Sequence, residues 1–431
     1  MKVNIFWFRR DLRLNDNRGF YKALQGKFPV VPIFILDSHI LDKLPKDDAR
    51  VTFIWKTVQK INIDLQTHGS SLAIYHGAVT SVFQRILSEY DVQNVICNHD
   101  YEPHAVQRDL DLQHLLSEEK IGFHTFKDQV IFEKDDIVKA DNTPYVVYTP
   151  YMKSWKSKFQ LNLISTYTAS SFYDNLIKDT QLAQISFSET GFITSSIIVK
   201  DFDVSSNLID SYESLRNFPN KQGTSNLSSH LRFGTVSIRQ IVARAIKAQN
   251  ETFLNELIWR EFYMQILWHF PETTTQSFRK KYDRILWNNN EDDFNRWKDG
   301  TTGYPLIDAG MRELNQTGYM HNRVRMVVAS FLCKHLLIDW RWGAAYFAEK
   351  LLDYEQASNI GNWQWAAGSG VDAAPYFRIF NPTTQMNKFD NDKQYIKKWV
   401  AEYDTPSYPE PMVDHKEARE RCLKVYKEAL L

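Results

Sequence analysis

The sequence has few cysteines, and they do not suggest a disulfide framework. Its 431 residues include only Cys97, Cys333 and Cys422, an odd number at wide spacing. Small secreted domains that depend on disulfides carry more cysteines at closer spacing. The pattern is typical of a reducing compartment, and we expect a cytoplasmic protein.

The sequence also lacks a long hydrophobic run, a leader and an excess of charge. It begins MKVNIFWFRRDLRL, a short apolar strand followed by charge, without the apolar core and cleavage site of a signal peptide. No apolar run is long enough to cross a membrane. Basic and acidic residues number 52 each, so affinity for nucleic acid requires a local basic patch.

A glycine-rich dinucleotide-binding turn is missing as well. In domains that bind nicotinamide dinucleotides this turn follows the first strand. Here RRDLRLNDN, at residues 9–17, takes its place. A nicotinamide cofactor is therefore disfavoured, and we predict no metal site.

The length favours two domains of different character. Residues 1–125 contain the runs VNIFWF, VVPIFIL, LAIYHG and NVICNH, which predict an amino-terminal α/β domain with a doubly wound parallel sheet. Residues 126–205 lose periodicity and are predicted to be an interdomain connector. Residues 206–431 have apolar residues at three- and four-residue spacing, which predicts an all-α carboxy-terminal domain.

The most informative segment is NIGNWQWAAGSGVDAAPYFRIFNP at residues 359–382. It combines two tryptophans with glycines and alanines, which suggests close approach of the backbone to a flat ligand. In an extended or loosely wound segment, Trp363 and Trp365 face different partners, one buried and one toward a cavity. The alternative is a glycine-rich core segment with two packing tryptophans.

Two other segments combine polar groups in a way that suggests binding. Thr224, Ser225 and Ser228 cluster at a predicted helix start, where hydroxyls and free backbone N–H groups bind a pyrophosphate or simply cap the helix. In NELIWREFY, Glu256, Trp259, Arg260 and Tyr263 share one helix face. The stripe suits a binding site, although a Glu256–Arg260 salt bridge on a solvated face is the alternative.

These segments, in this order, resemble the photolyase and cryptochrome family. The resemblance extends to FWFRRDLRLNDN, PYVVYTPYMKSW, TSNLSSHLRFG, TGYPLIDAGMREL and GYMHNRVRMVVASFL. It implies non-covalent FAD, active as the reduced anion, with Asn359 opposite flavin N5 and Asp353 paired with Arg325. Asn226 replaces the family's usual basic residue, and Phe253 its usual tryptophan. The implied FAD-binding residues are Tyr212, Thr224, Ser225, Asn226, Leu227, Ser228, Phe253, Arg260, Asn322, Arg325, Asp353, Tyr354, Glu355 and Asn359.

Family members that repair cyclobutane pyrimidine dimers place matching residues around a flipped-out dimer. By resemblance, Glu256, Met326 and Asn359 are catalytic, and an electron relay runs through Trp363, Trp340 and Trp287. A packing role is the alternative for each relay tryptophan. The implied partner is UV-damaged DNA, bound by a monomer through Glu256, Trp259, Tyr263, Asn322, Arg323, Met326, Trp365 and Arg378.

The resemblance thus favours light-dependent repair of these dimers, and other members of the family remain alternatives. A (6-4) photoproduct enzyme typically has histidines where Asn322 and Met326 stand. Cryptochromes, which signal and do not repair, often lose the substrate acid or tryptophan. The resemblance leaves room for a second, antenna chromophore. His104 and Ala105 stand where folate-binding relatives have an Asn-Glu pair, which disfavours folate and leaves a deazaflavin, a second flavin or no antenna.

Overall fold

A five-stranded parallel sheet forms the centre of the amino-terminal region. The computed structural model describes residues 1–431, and the strand order is β3-β2-β1-β4-β5. The four predicted strands are confirmed, whereas the edge strand β5 was not predicted. The strands are β1 Lys2–Phe8, β2 Val30–Asp37, β3 Ala73–Gly77, β4 Asp91–Asn98 and β5 Gly122–Phe126.

The sheet is covered on both faces, as continuous apolar strands require. Alternate residues of β1 enter different cores, because successive side chains of a strand point to opposite faces. Phe6 and Phe8 pack in one core, while Ile5 and Trp7 pack in the other. The amino-terminal α/β fold with a doubly wound parallel sheet is therefore confirmed.

Helices account for most of the remaining chain. The first nine α-helices are α1 Arg18–Leu24, α2 Ser38–Leu41, α3 Ala49–Gln66, α4 Val79–Glu89, α5 Pro103–Glu118, α6 Tyr148–Lys158, α7 Ser206–Leu215, α8 Ser228–Phe233 and α9 Ile238–Ala245. Short 3-10 helices lie at Leu161–Ile164, Ala169–Asn175, Ser188–Thr190, Pro271–Thr274 and Lys280–Arg284.

The carboxy-terminal region is entirely helical, as predicted. Its α-helices are α10 Thr252–His269, α11 Glu291–Asp299, α12 Pro305–Thr317, α13 Asn322–Ser330, α14 Trp340–Lys350, α15 Gln356–Ala367, α16 Pro382–Phe389, α17 Gln394–Trp399 and α18 His415–Leu430. Helix α13 continues into a π-helical turn, Phe331–His335. None of the helices has the combination of length and apolar character needed to span a membrane.

The residues pack as two compact units. Unit 1 comprises Met1–Asp136, Ser157–Phe202 and Asn226–Lys247, and unit 2 comprises Ile137–Lys156, Asp203–Ser225 and Ala248–Leu431. These units do not follow the predicted boundaries at residues 125 and 205, because each unit contains three separate stretches of the chain. The predicted connector is shared between the two units, and helix α9 belongs with the sheet.

A buried ionic network explains why α9 belongs to unit 1. Asp128 accepts hydrogen bonds from Arg13 at 2.5 Å and from Arg239 of α9 at 2.8 Å. Burial alone raises the pKa of a carboxyl group, yet the two guanidinium groups lower the pKa of Asp128. Arg239 also donates to Asp16 at 3.0 Å, so three separate stretches of sequence are tied together.

Gly234, which ends α8, packs directly against the backbone of residues 10 and 11. Its φ is +65°, and a β-carbon there would lie 2.1 Å from the carbonyl oxygen of Arg10. We expect Gly234→Ala to cost about 1–2 kcal/mol for the left-handed backbone and about 1–3 kcal/mol more for the clash. Thermal unfolding of the purified variant measures the loss.

Gly191 provides the matched control. Its φ is +73°, but its nearest neighbour to a new β-carbon is the Lys46 ammonium at 3.7 Å. Gly191→Ala should therefore lower the free energy of unfolding only by the cost of the left-handed backbone, about 1–2 kcal/mol. Equal losses for the two variants would contradict the close approach at Gly234.

Candidate functional site

Unit 2 contains a cavity formed by α13, α14, α15 and the turn between α14 and α15. Predicted site residues on its wall are Asn322, Arg325, Met326, Asp353, Tyr354, Glu355, Asn359, Trp363 and Trp365. Sequence reasoning missed the other lining residues, which are Ala329, Phe347, Leu351, Ser358, Asn362 and Ala366. The cavity therefore combines apolar walls with a few amide and charged groups, as ligand sites commonly do.

The two tryptophans of the WQW motif lie on helix α15. The expectation of an extended or loosely wound segment was wrong, because the segment completes three helical turns before Gly368 ends it. Residues two apart on a helix still point to different sides. Trp363 is 2% exposed, whereas Trp365 is only partly buried.

Close helix packing accounts for two glycines around this motif. A β-carbon at Gly361 would lie 2.2 Å from the Tyr263 ring of α10, and one at Gly343 would lie 2.1 Å from the Trp363 ring. The glycines thus make room for the protein's own aromatic rings. This explains why an aromatic- and glycine-rich sequence is helical here.

Two ion pairs border the cavity. Arg325 donates to both carboxylate oxygens of Asp353, at 3.2 Å and 3.0 Å, which is the pairing that the resemblance implied. Arg260 of α10 pairs with Glu355 at 3.3 Å, so the alternative Glu256–Arg260 salt bridge is not formed. Tyr263 also reaches the cavity wall, since its hydroxyl lies 3.4 Å from the amide oxygen of Asn362.

Asn359 is held in one orientation. Its amide nitrogen donates to the carbonyl oxygen of Ala344 at 3.0 Å. The amide oxygen of this cavity-lining residue is therefore the atom that remains to accept a hydrogen bond from a ligand N–H.

Glu256 and Trp259 on α10 have partners that sequence reasoning missed. The carboxylate of Glu256 pairs with Arg216, which follows α7. The Trp259 ring stacks on Tyr148, with ring centres 3.7 Å apart and planes inclined by 6°. Tyr148 stands in the recognised PYVVYTPYMKSW motif, but the motif gave no indication of its partner.

Three arginines, Arg216, Arg323 and Arg378, form what we call the arginine cluster. Burial lowers the pKa of Arg323, and the positive charges of Arg216 and Arg378 lower it further. Arg323 donates to Asn217 at 2.6 Å and lies 4.4 Å from the centre of the Phe389 ring. Only Arg216 pairs with a carboxylate, so the cluster is a local excess of positive charge in a chain of zero net charge.

The relay tryptophans lie in one hydrophobic core. Trp363 and Trp340 are buried there, and Trp287 packs against it. The rings nearest to Trp363 are Phe347 at 5.0 Å and Trp297 at 6.2 Å. Trp297 was not predicted, and the order of electron transfer stays a prediction.

The predicted phosphate-binding segment crosses from one unit to the other. Thr224 and Ser225 belong to unit 2, while Asn226, Leu227 and Ser228 belong to unit 1. Helix α8 begins at Ser228 without a side-chain cap, so the ordinary capping alternative does not explain these hydroxyl groups. Their binding of phosphate stays a prediction.

The aromatic and hydroxyl groups predicted near this segment lie within unit 2. The rings of Tyr212 and Phe253 meet edge to face at 5.2 Å. Thr224 hydrogen-bonds the side chain of Tyr319, whose ring lies 5.6 Å from the Arg325 guanidinium. Thr224 is thus linked to the ion pair at the cavity.

Comparison with known proteins identifies the family. Residues 4–169 match the model described as DNA photolyase, and residues 253–407 match the FAD binding domain of DNA photolyase. The deoxyribodipyrimidine photo-lyase of Halobacterium salinarum is 34% identical, covering 99% of both chains. The chain therefore belongs to the DNA photolyase family, and the matched carboxy-terminal domain is an FAD-binding domain.

Solved structures agree with this assignment. An archaeal photolyase from Sulfolobus tokodaii, solved with two FAD molecules, is 33% identical with a TM-score of 0.84, covering 99% of this chain and all of that one (100%). A cryptochrome from Synechocystis has a TM-score of 0.87 over 99% of both chains at 24% identity. The second likeness shows the fold alone.

Proposed function

We propose that the protein repairs cyclobutane pyrimidine dimers in DNA with blue light and reduced FAD. The observation that carries the proposal is the junction between the cavity and α10. Arg260 pairs with Glu355 on the cavity wall, and the same face of α10 presents Glu256 and Trp259. A cofactor bound in the cavity and a base bound against this face of α10 would therefore lie next to each other.

The residues present fit the isoalloxazine ring of FAD. Phe347, Leu351 and Ala366 provide apolar surface, and the Asn359 amide oxygen suits an N–H donor such as that of a reduced flavin. The Arg325–Asp353 pair supplies both a donor and an acceptor for the polar edge. When bound and excited, FAD supplies the electron that opens the dimer and receives it back.

Thr224, Ser225 and Ser228 are proposed to hold the FAD phosphates, with Asn226 and Leu227 between them and Tyr212 nearby. Hydroxyl groups that do not cap α8 support this role. Trp363, Trp340 and Trp287 are proposed to reduce oxidised FAD from the protein surface, and their shared core supports that role.

The substrate is proposed to leave the duplex and stack against tryptophan. Trp259 and Trp365 are both only partly buried, so each retains ring surface for a base. Stacking on an aromatic side chain contributes roughly 1–3 kcal/mol per base. A dimer unstacks more easily than an intact base, and this difference supports selection of the lesion.

Glu256 is proposed to bind the pyrimidine edge and to stabilise negative charge on its carbonyl through a proton. Asn322 and Met326 line the cavity formed by α13, α14 and α15 and are proposed to contact the dimer. Tyr263 lies on the same face of α10 as Glu256 and Trp259 and is proposed to belong to the same binding surface. The arginine cluster is proposed to hold the DNA backbone, because Arg323 and Arg378 have no carboxylate partner. Contacts to phosphate fix register without reading sequence.

A light-sensing cryptochrome without repair activity is the second candidate. The Synechocystis cryptochrome shares the fold, and the fold does not distinguish repair from signalling. Against this candidate stand Glu256 and Trp365, the groups that such proteins often lose. A (6-4) enzyme is disfavoured by Asn322 and Met326.

We expect Trp365→Ala and Glu256→Ala to lower repair by at least tenfold while FAD stays bound. Glu256→Gln should retain more activity than Glu256→Ala, because an amide still donates a hydrogen bond. Loss of dimers from irradiated DNA is measured under blue light with chemically reduced enzyme, and FAD is quantified by its absorbance. Absence of repair by the unmodified protein would favour the cryptochrome.

Binding to DNA across a salt series separates backbone contacts from lesion contacts. Arg323→Ala should weaken damaged and undamaged duplexes by similar factors and reduce the salt slope by about 0.9. Trp259→Ala should weaken damaged DNA selectively, because only the flipped dimer reaches that ring. An equal effect of Trp259→Ala on both duplexes would remove this residue from the lesion pocket.

Whether a second chromophore accompanies FAD is a separate question. Unit 1 has a cleft of about 810 Å³ between α3 and residues 197–202, within the size range of small-molecule sites. The Sulfolobus tokodaii structure contains two FAD molecules. Chromophores extracted from the purified protein and identified by absorbance and mass will establish whether this protein carries a second one.

A further inference from the structure

Lys334 is a buried cation without a carboxylate partner. It is 1% exposed and lies in the π-helical turn that follows α13. Its ammonium group donates to the backbone carbonyl of Arg378 at 2.9 Å. Burial lowers the pKa of Lys334 to about 8, which reflects how poorly this site accommodates a charge.

The π-turn places Lys334 where an ordinary helix would not. Leu336 donates to Phe331 at 3.2 Å, five residues back, and Ile338 donates to Leu332 at 3.2 Å. The wider turn changes the direction of the side chains within it, and such turns recur at functional sites. Here the turn directs a buried donor at one carbonyl group of the segment that precedes α16.

That segment is otherwise exposed at its tip and anchored from below. Phe377 is 60% exposed, and the side chain of Arg378 is exposed as well. Beneath the tip, the Tyr376 ring stacks on Tyr426 of α18, with ring centres 5.9 Å apart and planes inclined by 12°. Tyr426 is itself fixed, since its hydroxyl donates to the carbonyl oxygen of Ala367 at 3.0 Å.

Two anchors therefore hold neighbouring residues of one exposed turn, the first through a ring and the second through a backbone carbonyl. Burying an ammonium group is costly unless it is hydrogen-bonded. The carbonyl oxygen of Arg378 is the acceptor for this ammonium group. The contact therefore ties the backbone at Arg378 to the π-helical turn.

We propose that Lys334 is a positioning residue that fixes the backbone of Arg378 and so presents its guanidinium group to a DNA phosphate. The inference rests on the proposed binding of DNA by the arginine cluster. Lys334 itself is buried and does not touch DNA. Lys334 raises the fraction of molecules in which Arg378 is positioned to contact the phosphate.

Lys334→Met tests this role, because methionine keeps much of the length and volume of the side chain and removes the donor. The binding constant for a duplex is measured across a salt series. We expect the slope against salt to fall by about 0.9, as for Arg378→Ala, and affinity to fall about fivefold or more. The double variant should be no weaker than Arg378→Ala alone, since both changes remove one contact.

Lys298→Met is the control for charge. Lys298 is half-buried on α11 and lies 5.1 Å from the Phe294 ring, without contact to the turn around Arg378. It should leave the salt slope unchanged. FAD content and thermal unfolding confirm that each variant is folded.

Trypsin provides a readout without DNA. It cleaves after Arg378, whose carbonyl group Lys334 holds, so Lys334→Met should speed that cut at least fivefold in the native protein. Lys334→Gln, whose amide is too short to reach, should do the same if the methionine variant fails to fold.

The outcomes separate the two proposals. If Arg378→Ala leaves the salt slope unchanged, the proposed phosphate contact of Arg378 fails, whatever trypsin shows. If Arg378→Ala lowers the slope but Lys334→Met changes neither the slope nor the rate of cleavage, Lys334 only fills the core and the inference is overturned.

Discussion

Helix α15 packs closely against α10 and α14, and each of the two contacts contains a glycine at which a β-carbon would clash. Gly361 meets the Tyr263 ring of α10, and Gly343 of α14 meets the Trp363 ring. These contacts set the separation of α15 from α10 and from α14, and α14 and α15 form two walls of the cavity. The orientation of Asn359 follows, because its amide is tied to Ala344 of the neighbouring helix. A single larger residue at either glycine would therefore displace the candidate site as a whole.

Charge is distributed unevenly around this packed centre. Arg325 and Arg260 each have a carboxylate partner at the cavity. Because their charges are balanced, they hold the wall in place and add little to the local positive potential. Arg323 and Arg378 have none. A chain with zero net charge can thus present a local positive potential, since the balancing acids lie elsewhere.

Sequence reasoning succeeded where one local pattern determines structure. Continuous apolar runs identified four buried strands, and three- and four-residue spacing identified the helical region. The edge strand β5, GFHTF, escaped because its residues are half-buried or exposed and its composition is mixed. The glycines of the WQW segment suggested an extended or loosely wound backbone close to a flat ligand, although glycine also disfavours helices. Tertiary packing overrode that preference, since glycine is the only residue that fits at Gly361.

Partners distant in sequence could not be predicted. Glu256 meets Arg216, forty positions away, and Trp259 stacks on Tyr148, which was assigned to a connector. No local pattern encodes such contacts. The division into units was equally hidden, because α9 joins unit 1 through buried charges rather than through any change in composition. The family's motifs indicated which residues matter but not which of them touch.

The Glu256–Arg216 pair has a consequence for how a ligand enters. Both side chains are half-buried, at 34% and 22% exposure, and each is the other's counter-ion. An anion that captures Arg216 draws the guanidinium group away from Glu256 and leaves the carboxylate free to accept a hydrogen bond from a base. Occupation of the arginine cluster and hydrogen bonding of Glu256 to a base are then thermodynamically linked, and linkage is reciprocal. A backbone phosphate would thus prepare Glu256 for a base that arrives later, and a base bound first would strengthen binding of the phosphate.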